Sequence, residues 1–321
     1  MIRAEKLTKR FGDITAVDGL DFEIQVGQIV GFLGPNGAGK TTTMRMLTAY
    51  LPADQGRAVV MDLDVAEHPL EVRRRLGYLP ENNPLHENLE VTDALHFVGR
   101  LRGLYDDKAR TERVKAVVKT CGLGGVAGRK TGELSKGYRQ RLGLAQAIIH
   151  DPDVLVLDEP TSGLDPNQVH EVRDLIRELK KEKTLLLSTH ILSEVQAVCD
   201  RVIILNAGRI AADGTPDELS GSLQNKNRLH LSLKGPRDTV RSALASIPGA
   251  SSVAGPAAWG KVSDAFVVES EASVDLREEV FRLASSKGWP IMHLSIEQLS
   301  LEEVFRKLTG SAEAGPGEGA S

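Results

Sequence analysis

Residues 34–42 form a glycine-rich segment whose residue types and spacing suit the binding of a triphosphate. The segment matches G-x-x-x-x-G-K-S/T. Glycines let successive backbone N–H groups curl around phosphate oxygens without side-chain clash. The lysine adds a mobile charge for the β- and γ-phosphates, and the hydroxyl after it is a ligand for Mg²⁺. The residues predicted to bind the nucleotide are Gly34, Pro35, Asn36, Gly37, Ala38, Gly39, Lys40, Thr41 and Thr42, with Thr41 also on the metal.

The flanking sequence supports this interpretation. An apolar run at residues 28–33 predicts a strand, and residues 41–51 are compatible with a helix. The positive end of that helix dipole would face the phosphates. The alternative is a glycine-rich turn that happens to contain a lysine. The strand, loop and helix order favours the phosphate-binding reading.

A second segment with chemical potential is a buried strand that ends in two carboxylates. Residues 154–157 are apolar, and Asp158 and Glu159 follow them. Open parallel sheets bind ligands at the carboxyl ends of their strands. Asp158 is therefore predicted to hold Mg²⁺, directly or through water, and Glu159 to orient and deprotonate an attacking water. The alternative is that the two carboxylates end the strand without a chemical role. The phosphate-binding segment in the same chain argues against this alternative.

The elements that position these residues indicate an α/β fold. Short strands fill residues 1–33, and near-continuous apolar strands then alternate with helices, which predicts a parallel sheet buried on both faces. Residues 85–150 are rich in helix formers and predict a helical insertion. Residues 1–220 are expected to form one domain.

The pattern restarts at residue 221. Residues 221–309 read as β-α-β-β-α-β, which predicts a small α+β accessory domain of ferredoxin-like order. Residues 310–321 have no apolar anchor, and we expect them to be disordered.

Composition narrows the class of protein. The chain has 321 residues, a formal net charge of −4 and two cysteines. A net negative charge gives no reason to expect binding to nucleic acid, and two cysteines do not indicate a disulfide framework. The N-terminus lacks the apolar core of a signal peptide, and no run of about eighteen apolar residues predicts a membrane span. If the protein acts at a membrane, another chain must cross it.

Residues 134–140 read LSKGYRQ. Together with both phosphate-binding segments, they resemble the nucleotide-binding domain of an ABC transporter. That resemblance implies a P-loop NTPase core with an antiparallel β subdomain and a helical insertion. The family signature is L-S-G-G-Q, from which this chain departs at Lys136 and Tyr138. Ser135 and Gly137 remain, and the resemblance implies that Ser135, Lys136 and Gly137 complete the ATP site of an opposing subunit.

Further family elements follow in order. Residues 162–165 resemble the D-loop, which couples the two sites of a dimer. His190 resembles the switch histidine, which would bind the γ-phosphate and hold Glu159 and water in register. Phe11 lies where the family places a ring that stacks on adenine; a buried core phenylalanine is the alternative.

One position departs from the family with chemical consequences. The Q-loop glutamine of the family, which senses Mg²⁺ and meets the membrane partner, is replaced here by Glu81. A carboxylate can still approach Mg²⁺, but its charge would alter how the loop moves. Glu81, the altered signature and the C-terminal extension resemble the ATPase subunits of type-two ABC exporters, including the drug, polysaccharide and gliding-motility kinds.

The resemblance implies an ATP-hydrolysing subunit that dimerises head to tail, with an identical chain or a close homologue, around two ATP molecules. It also implies a cytoplasmic protein held at the inner face of the membrane by a separate permease. Three alternatives remain open: the ATPase of an importer, a soluble ABC ATPase with another partner, and a nucleotide-binding regulator without turnover. The transported substrate does not follow from the sequence.

Overall fold

The computed structural model describes residues 1–222, 226–259, 262–271, 274–297 and 301–310. The chain divides into two compact units. The first contains Met1–Pro216 and the segment that begins at Phe305, and the second is Asp217–Val304. This division lies close to the boundary that the sequence predicts at residue 220, but it assigns the end of the last helix to the first unit. Residues 311–321, predicted to be disordered, lie outside the described residues.

The first unit is built from alternating strands and helices. In chain order they are β1 (Ile2–Phe11), β2 (Ile14–Ile24), β3 (Ile29–Leu33), α1 (Lys40–Leu47), β4 (Gln55–Val60), β5 (Leu63–Asp64), α2 (Pro69–Arg75), β6 (Leu76–Leu79), α3 (Val91–Leu101), α4 (Asp107–Thr120), α5 (Lys136–Ile148), β7 (Val154–Asp158), α6 (Pro166–Lys180), β8 (Thr184–Thr189), α7 (Leu192–Val198), β9 (Arg201–Asn206) and β10 (Arg209–Gly214).

A six-stranded sheet with the order β10-β9-β3-β8-β7-β6 forms the centre of this unit. All neighbours pair in parallel except β10 and β9. Every residue of β3, β7 and β8 is buried, as expected for parallel strands covered on both faces. The predicted α/β core is confirmed. The carboxyl ends of β3, β7 and β8 lie side by side and carry the predicted site.

A second, antiparallel sheet has the order β2-β1-β4-β5. Its inward side chains, among them Ile2, Leu20 and Val60, share one hydrophobic cluster with Phe32 and Met44 of the central layer. This packing fixes the β1–β2 hairpin beside helix α1. Helices α3, α4 and α5 lie within the predicted insertion, and the described residues contain no helix with the length and apolar character that a membrane span requires.

The remaining elements are α8 (Pro216–Ser222), β11 (Lys226–Leu233), α9 (Arg237–Ala245), β12 (Ala250–Trp259), β13 (Val262–Glu271), α10 (Arg277–Lys287), β14 (Ile291–Glu297) and α11 (Leu301–Thr309). Strands β11–β14 form an antiparallel sheet with the order β12-β13-β11-β14. With α9 and α10 this is the β-α-β-β-α-β arrangement of a ferredoxin-like module. Leu231, Phe266, Val240 and Val280 are the centre of its own hydrophobic core.

Candidate functional site

The loop between β3 and α1 forms a backbone cradle. Gly39 caps α1 with φ +101°, in the left-handed region, and a Cβ there would lie 2.6 Å from the carbonyl oxygen of Ala16. Gly37 also has a positive φ, of +80°. Only glycine meets both demands at position 39 without strain. The backbone N–H groups in the first turn of α1 therefore point toward the loop. This arrangement favours the binding of an anion there.

Lys40 begins α1 and is buried, with 6% of its surface exposed. Its Nζ donates hydrogen bonds to the carbonyl oxygens of Gly34, at 2.7 Å, and Pro35, at 3.3 Å. The same atom lies 3.7 Å from Oε1 of Glu159. Burial lowers the pKa of Lys40, and this effect outweighs the opposing influence of the carboxylates of Glu159 and Asp158. The ammonium is thus held at the cradle with its charge only partly compensated.

Asp158 is fully buried at the end of β7. Its Oδ1 accepts a hydrogen bond from Ser188 Oγ, at 2.6 Å, and a longer one from Thr41 Oγ1, at 3.2 Å. Its Oδ2 is buried and has no hydrogen-bond partner among the residues that the structure describes. An uncompensated carboxylate oxygen beside a threonine hydroxyl fits a hard cation with oxygen ligands.

The donor set also decides which cation fits. Across the described part of the chain, no group of three or more His, Cys, Asp or Glu side chains is arranged to hold a metal by itself. Mg²⁺ is characteristically held by one or two carboxylates together with substrate phosphates and water. The oxygens of Thr41 and Asp158 fit that mode.

Glu159 follows Asp158 and adopts φ +48°, in the left-handed region that non-glycine residues rarely occupy. Such strain persists where the surrounding structure imposes it, often at functional sites. Its backbone N–H donates to Ser188 Oγ, at 2.9 Å, and its Oε2 lies 2.9 Å from Nδ1 of His190. Because a carboxylate has only acceptors, Nδ1 is the donor when Glu159 is ionised.

Ser188 is a residue of the candidate site that the sequence predictions did not include. It pairs directly with Asp158 in the parallel register of β7 and β8. Its hydroxyl donates a hydrogen bond to the carboxylate of Asp158 and accepts one from the backbone N–H of Glu159. A hydroxyl at the end of a buried strand, two residues before a histidine, is the sequence signal that points to it.

Lys40, Glu159 and His190 line one pocket in the first unit, and Asp158 is linked to it through its hydrogen bond with Thr41. The residues around it are Phe11, Ile14, Thr15, Ala16, Asn36, Gly37, Ala38, Gly39, Lys40, Thr41, Thr42, Glu81, Glu159, Ser162, His190 and Ala207. Phe11 is 50% exposed, so it is not the buried core ring that the sequence left open. Gly34 and Pro35 contribute through the carbonyl oxygens that hold Lys40. The structure therefore brings together the predicted phosphate-binding, acidic and histidine residues.

The signature residues occupy a different place. Ser135 caps α5, with its hydroxyl accepting from the backbone N–H of Tyr138 at 3.5 Å. The described residues that line the pocket do not include Ser135, Lys136 or Gly137. A Cβ at position 137 would lie 2.6 Å from the side chain of Gln168 on α6, which shows how closely the two helices approach. Helix α5 begins at Lys136, directly after this cap.

Comparisons with known proteins place this geometry in a family. The family model described as ABC transporter matches residues 17–162. The probable multidrug ABC transporter ATP-binding protein YbhF of Escherichia coli (strain K12) is 39% identical over 226 residues, which are 70% of this chain and 39% of YbhF. This chain therefore spans well under half the length of YbhF.

A relative of similar length gives fuller coverage. The Nod factor export ATP-binding protein I of Burkholderia lata is 35% identical over 303 residues, which are 94% of each chain. A solved structure described as that of an ATP binding subunit of an ABC transporter superposes with a TM-score of 0.63 at 27% identity, covering 69% of this chain and 92% of that one. The resemblance predicted from sequence is confirmed: this chain belongs to the ATP-binding proteins of ABC transporters, a family of ATPases with the P-loop NTPase fold.

Proposed function

We propose that this protein binds ATP with Mg²⁺ and hydrolyses it to drive export through a separate membrane permease. The observation that carries the catalytic part is the contact of Glu159 with both Lys40, at 3.7 Å, and His190, at 2.9 Å, in one pocket. This arrangement joins a phosphate-binding cation, a carboxylate base and a histidine that orients it. A nucleotide-binding regulator without turnover has no use for the base.

Each residue has a distinct part in hydrolysis. The cradle of Gly37 and Gly39 presents backbone N–H groups to the phosphates, and Lys40 exchanges its carbonyl partners for phosphate oxygens. Glu159 accepts the proton of the attacking water. His190 holds the carboxylate in place through Nδ1, which leaves Nε2 for the γ-phosphate. Phe11 offers its half-exposed ring to the base by stacking.

The metal site consists of Thr41 and Asp158, with Glu81 at the edge of the same pocket. A Mg²⁺ ion held by these oxygens would supply positive charge to the phosphates during hydrolysis. The Oδ2 atom of Asp158, which has no hydrogen-bond partner among the described residues, is the oxygen ligand that supports this assignment. Thr41 keeps its hydroxyl within reach of the same carboxylate.

We further propose that a second ATP-binding subunit completes the site. Ser135, Lys136 and Gly137 present a serine-capped helix start, yet they lie outside the lining of the pocket in their own chain. Backbone N–H groups at such a helix start suit a phosphate. In a head-to-tail dimer they would meet the γ-phosphate held by the partner's cradle, and neither site would be complete alone.

Export is the direction that the relatives support, because one is described as a probable multidrug transporter protein and another as a Nod factor export protein. The chain would act in the cytoplasm, at the inner face of the membrane, and residues 81–89 would meet the permease. Glu81 replaces the glutamine of the family there.

The test is ATPase activity of the wild type and of Glu159→Gln. Loss of the base is expected to lower kcat by about 100-fold or more, with ATP affinity retained. Glu112→Gln, an exposed glutamate of α4 outside the pocket, is the matched control and should leave kcat unchanged. Equal rates for wild type and Glu159→Gln would remove the catalytic assignment, and a wild type without Mg²⁺-dependent turnover would remove the proposed function.

A further inference from the structure

Glu194 is a buried carboxylate that the proposed mechanism does not use. It lies in the first turn of α7 and is 4% exposed. Both of its oxygens accept hydrogen bonds from threonine hydroxyls. Oε1 accepts from Thr161 and Oε2 from Thr189, the latter at 2.6 Å. Burying a charged group is costly unless it is paired and hydrogen-bonded, so its placement needs an explanation.

The two hydroxyls belong to the two segments that carry the chemistry. Thr161 lies two residues after Glu159, and Thr189 lies directly before His190. Glu194 therefore bridges the turn after β7 and the end of β8 from a third element. This bridge runs beside the direct contact between Glu159 and His190.

The contacts on the far side of His190 strengthen the same bridge. The hydroxyl of Thr189 also accepts from the backbone N–H of Ile191, at 3.0 Å. The backbone on either side of His190 is thus tied to one hydroxyl, and that hydroxyl is tied to Glu194. Loss of the Glu194 contact would therefore remove the anchor of the hydroxyl that orders the backbone around the histidine.

A simpler role as a helix cap does not account for Glu194. Ile191 is the N-cap of α7, which places Glu194 at the third helical position, where a capping-box glutamate would accept from the backbone N–H of the N-cap residue. That N–H instead donates to Thr189. Both carboxylate oxygens face the two threonines, so the residue serves the strand ends rather than its own helix.

We propose that Glu194 is a positioning residue that sets the geometry of Glu159 relative to His190 by joining Thr161 and Thr189. The inference rests on the proposed ATP hydrolysis. It extends that function because Glu194 and Thr161 do not line the pocket among the described residues. Nucleotide affinity therefore does not depend on them directly. Their loss acts on the chemical step.

The test compares kcat with ATP affinity in Glu194→Gln and Thr161→Val. Thr161→Val removes the hydrogen bond to Oε1 of Glu194 and nearly keeps the side-chain shape. Glu194→Gln removes the negative charge and turns one of the two accepting oxygens into an N–H donor, so it alters the bridge without deleting it. We expect kcat to fall by about 10- to 100-fold, since small misplacement of catalytic groups has effects of this size. The dissociation constant for ATP, measured by equilibrium binding, should change by less than about twofold because the pocket lining is intact. Thr161→Ser restores the hydroxyl and should restore most of kcat.

Thr184→Val is the matched control. Thr184 is a buried threonine at the opposite end of β8, where its hydroxyl accepts from the backbone N–H of Gly27 at 2.9 Å. Its loss removes a buried hydroxyl without touching the bridge, and kcat should stay near the wild-type value. An equal fall in kcat for Thr161→Val and Thr184→Val would overturn the inference.

A second comparison covers the case in which Glu194→Gln does not fold. In that case the test compares kcat of Thr161→Val with kcat of Thr161→Ser. If kcat is the same in both while the wild type hydrolyses ATP, positioning by Glu194 is wrong although the proposed function stands. If the wild type itself shows no turnover, the proposed function has failed first.

Discussion

The Nζ atom of Lys40 lies 3.7 Å from Oε1 of Glu159, so the cation proposed to bind phosphate and the carboxylate proposed to act as the base form an ion pair. A triphosphate that binds at Lys40 therefore competes with Glu159 for the same ammonium. If Lys40 moves to the phosphates, the contact of the Glu159 carboxylate with His190 is still in place. Nucleotide binding would thus release the base for its reaction with water.

Lys40→Ala should weaken ATP binding by about 10- to 100-fold, because hydrogen bonds from a charged donor are worth about 1.5–3 kcal/mol. The measurement is equilibrium binding of ATP in the presence of Mg²⁺. Lys115→Ala removes an exposed lysine of α4 outside the pocket and serves as the control. Unchanged affinity in a folded Lys40→Ala protein would contradict the phosphate-binding role.

ATP affinity should also depend on pH through Lys40. Burial lowers the pKa of Lys40 below its ordinary value of 10.5. The ammonium form binds phosphate, so affinity is greatest below this lowered pKa and falls as the pH rises through it, by up to about tenfold per pH unit. The decline should begin at a lower pH than an ordinary lysine would give. The measurement is the dissociation constant of ATP between about pH 8 and pH 10.5.

Lys40→Arg is the control for this profile. The guanidinium group stays protonated throughout the range, so its affinity, although reduced by the changed geometry, should not vary with pH. A wild-type profile that is equally flat would contradict titration of Lys40. Glu159→Gln removes a carboxylate that raises the pKa of Lys40, and should move the decline to lower pH.

The sequence predicts the cradle well because its requirements are local. Gly39 needs a positive φ and close approach to Ala16, and both follow from a strand, a tight loop and a helix within about a dozen residues. The pairing of Asp158 with Ser188 is different. It depends on the register of two strands separated by α6, which no local pattern contains.

Short elements account for most of what the sequence analysis did not identify. Helix α7 has seven residues, too few for a periodic pattern, so the sequence alone does not indicate that Glu194 lies on a helix. Strand β10 (Arg209–Gly214) is an edge strand of small and polar residues and gives little strand signal.

Glu81→Gln should change how hydrolysis depends on Mg²⁺. Glu81 lines the pocket, and its charge acts on Lys40. Removal of this charge lessens repulsion of the phosphates, so affinity for metal-free ATP should rise by about twofold to fivefold, as expected for one exposed charge. Half-maximal activity should then require more Mg²⁺, because a carboxylate that attracts the cation is lost.

The measurements are ATP binding in the presence of a chelator and a Mg²⁺ titration of ATPase activity. Glu112→Gln, which removes one carboxylate charge outside the pocket, is again the control. Identical Mg²⁺ curves for wild type and Glu81→Gln would show that residue 81 does not act on the metal.

Asp151 connects three parts of the first unit and should stabilise it in a pH-dependent way. Its Oδ1 accepts from Lys183, at 2.9 Å, and from Arg113 of α4, at 3.0 Å. The hydrogen bond from Lys183, the largest cause, lowers the pKa of Asp151 below its ordinary value of 3.8. A carboxyl whose pKa is lower in the folded state stabilises the fold above its unfolded pKa, and this stabilisation is lost as the pH falls through the folded value.

Asp151→Asn should therefore lower the free energy of unfolding at pH 7 by about 1 kcal/mol, a figure reduced for the partial exposure of the carboxylate. The difference from wild type should shrink as the pH falls below 3.8. Asparagine tolerates the left-handed φ of +56° at this position, so the backbone is not strained. Asp174→Asn, on the exposed face of α6, is the control and should have little effect. The free energy of unfolding of wild type and Asp151→Asn is measured by urea unfolding at pH 7 and at a pH below 3.8. A loss of stability in Asp151→Asn that is equally large at the lower pH would show that the charge of Asp151 is not its source.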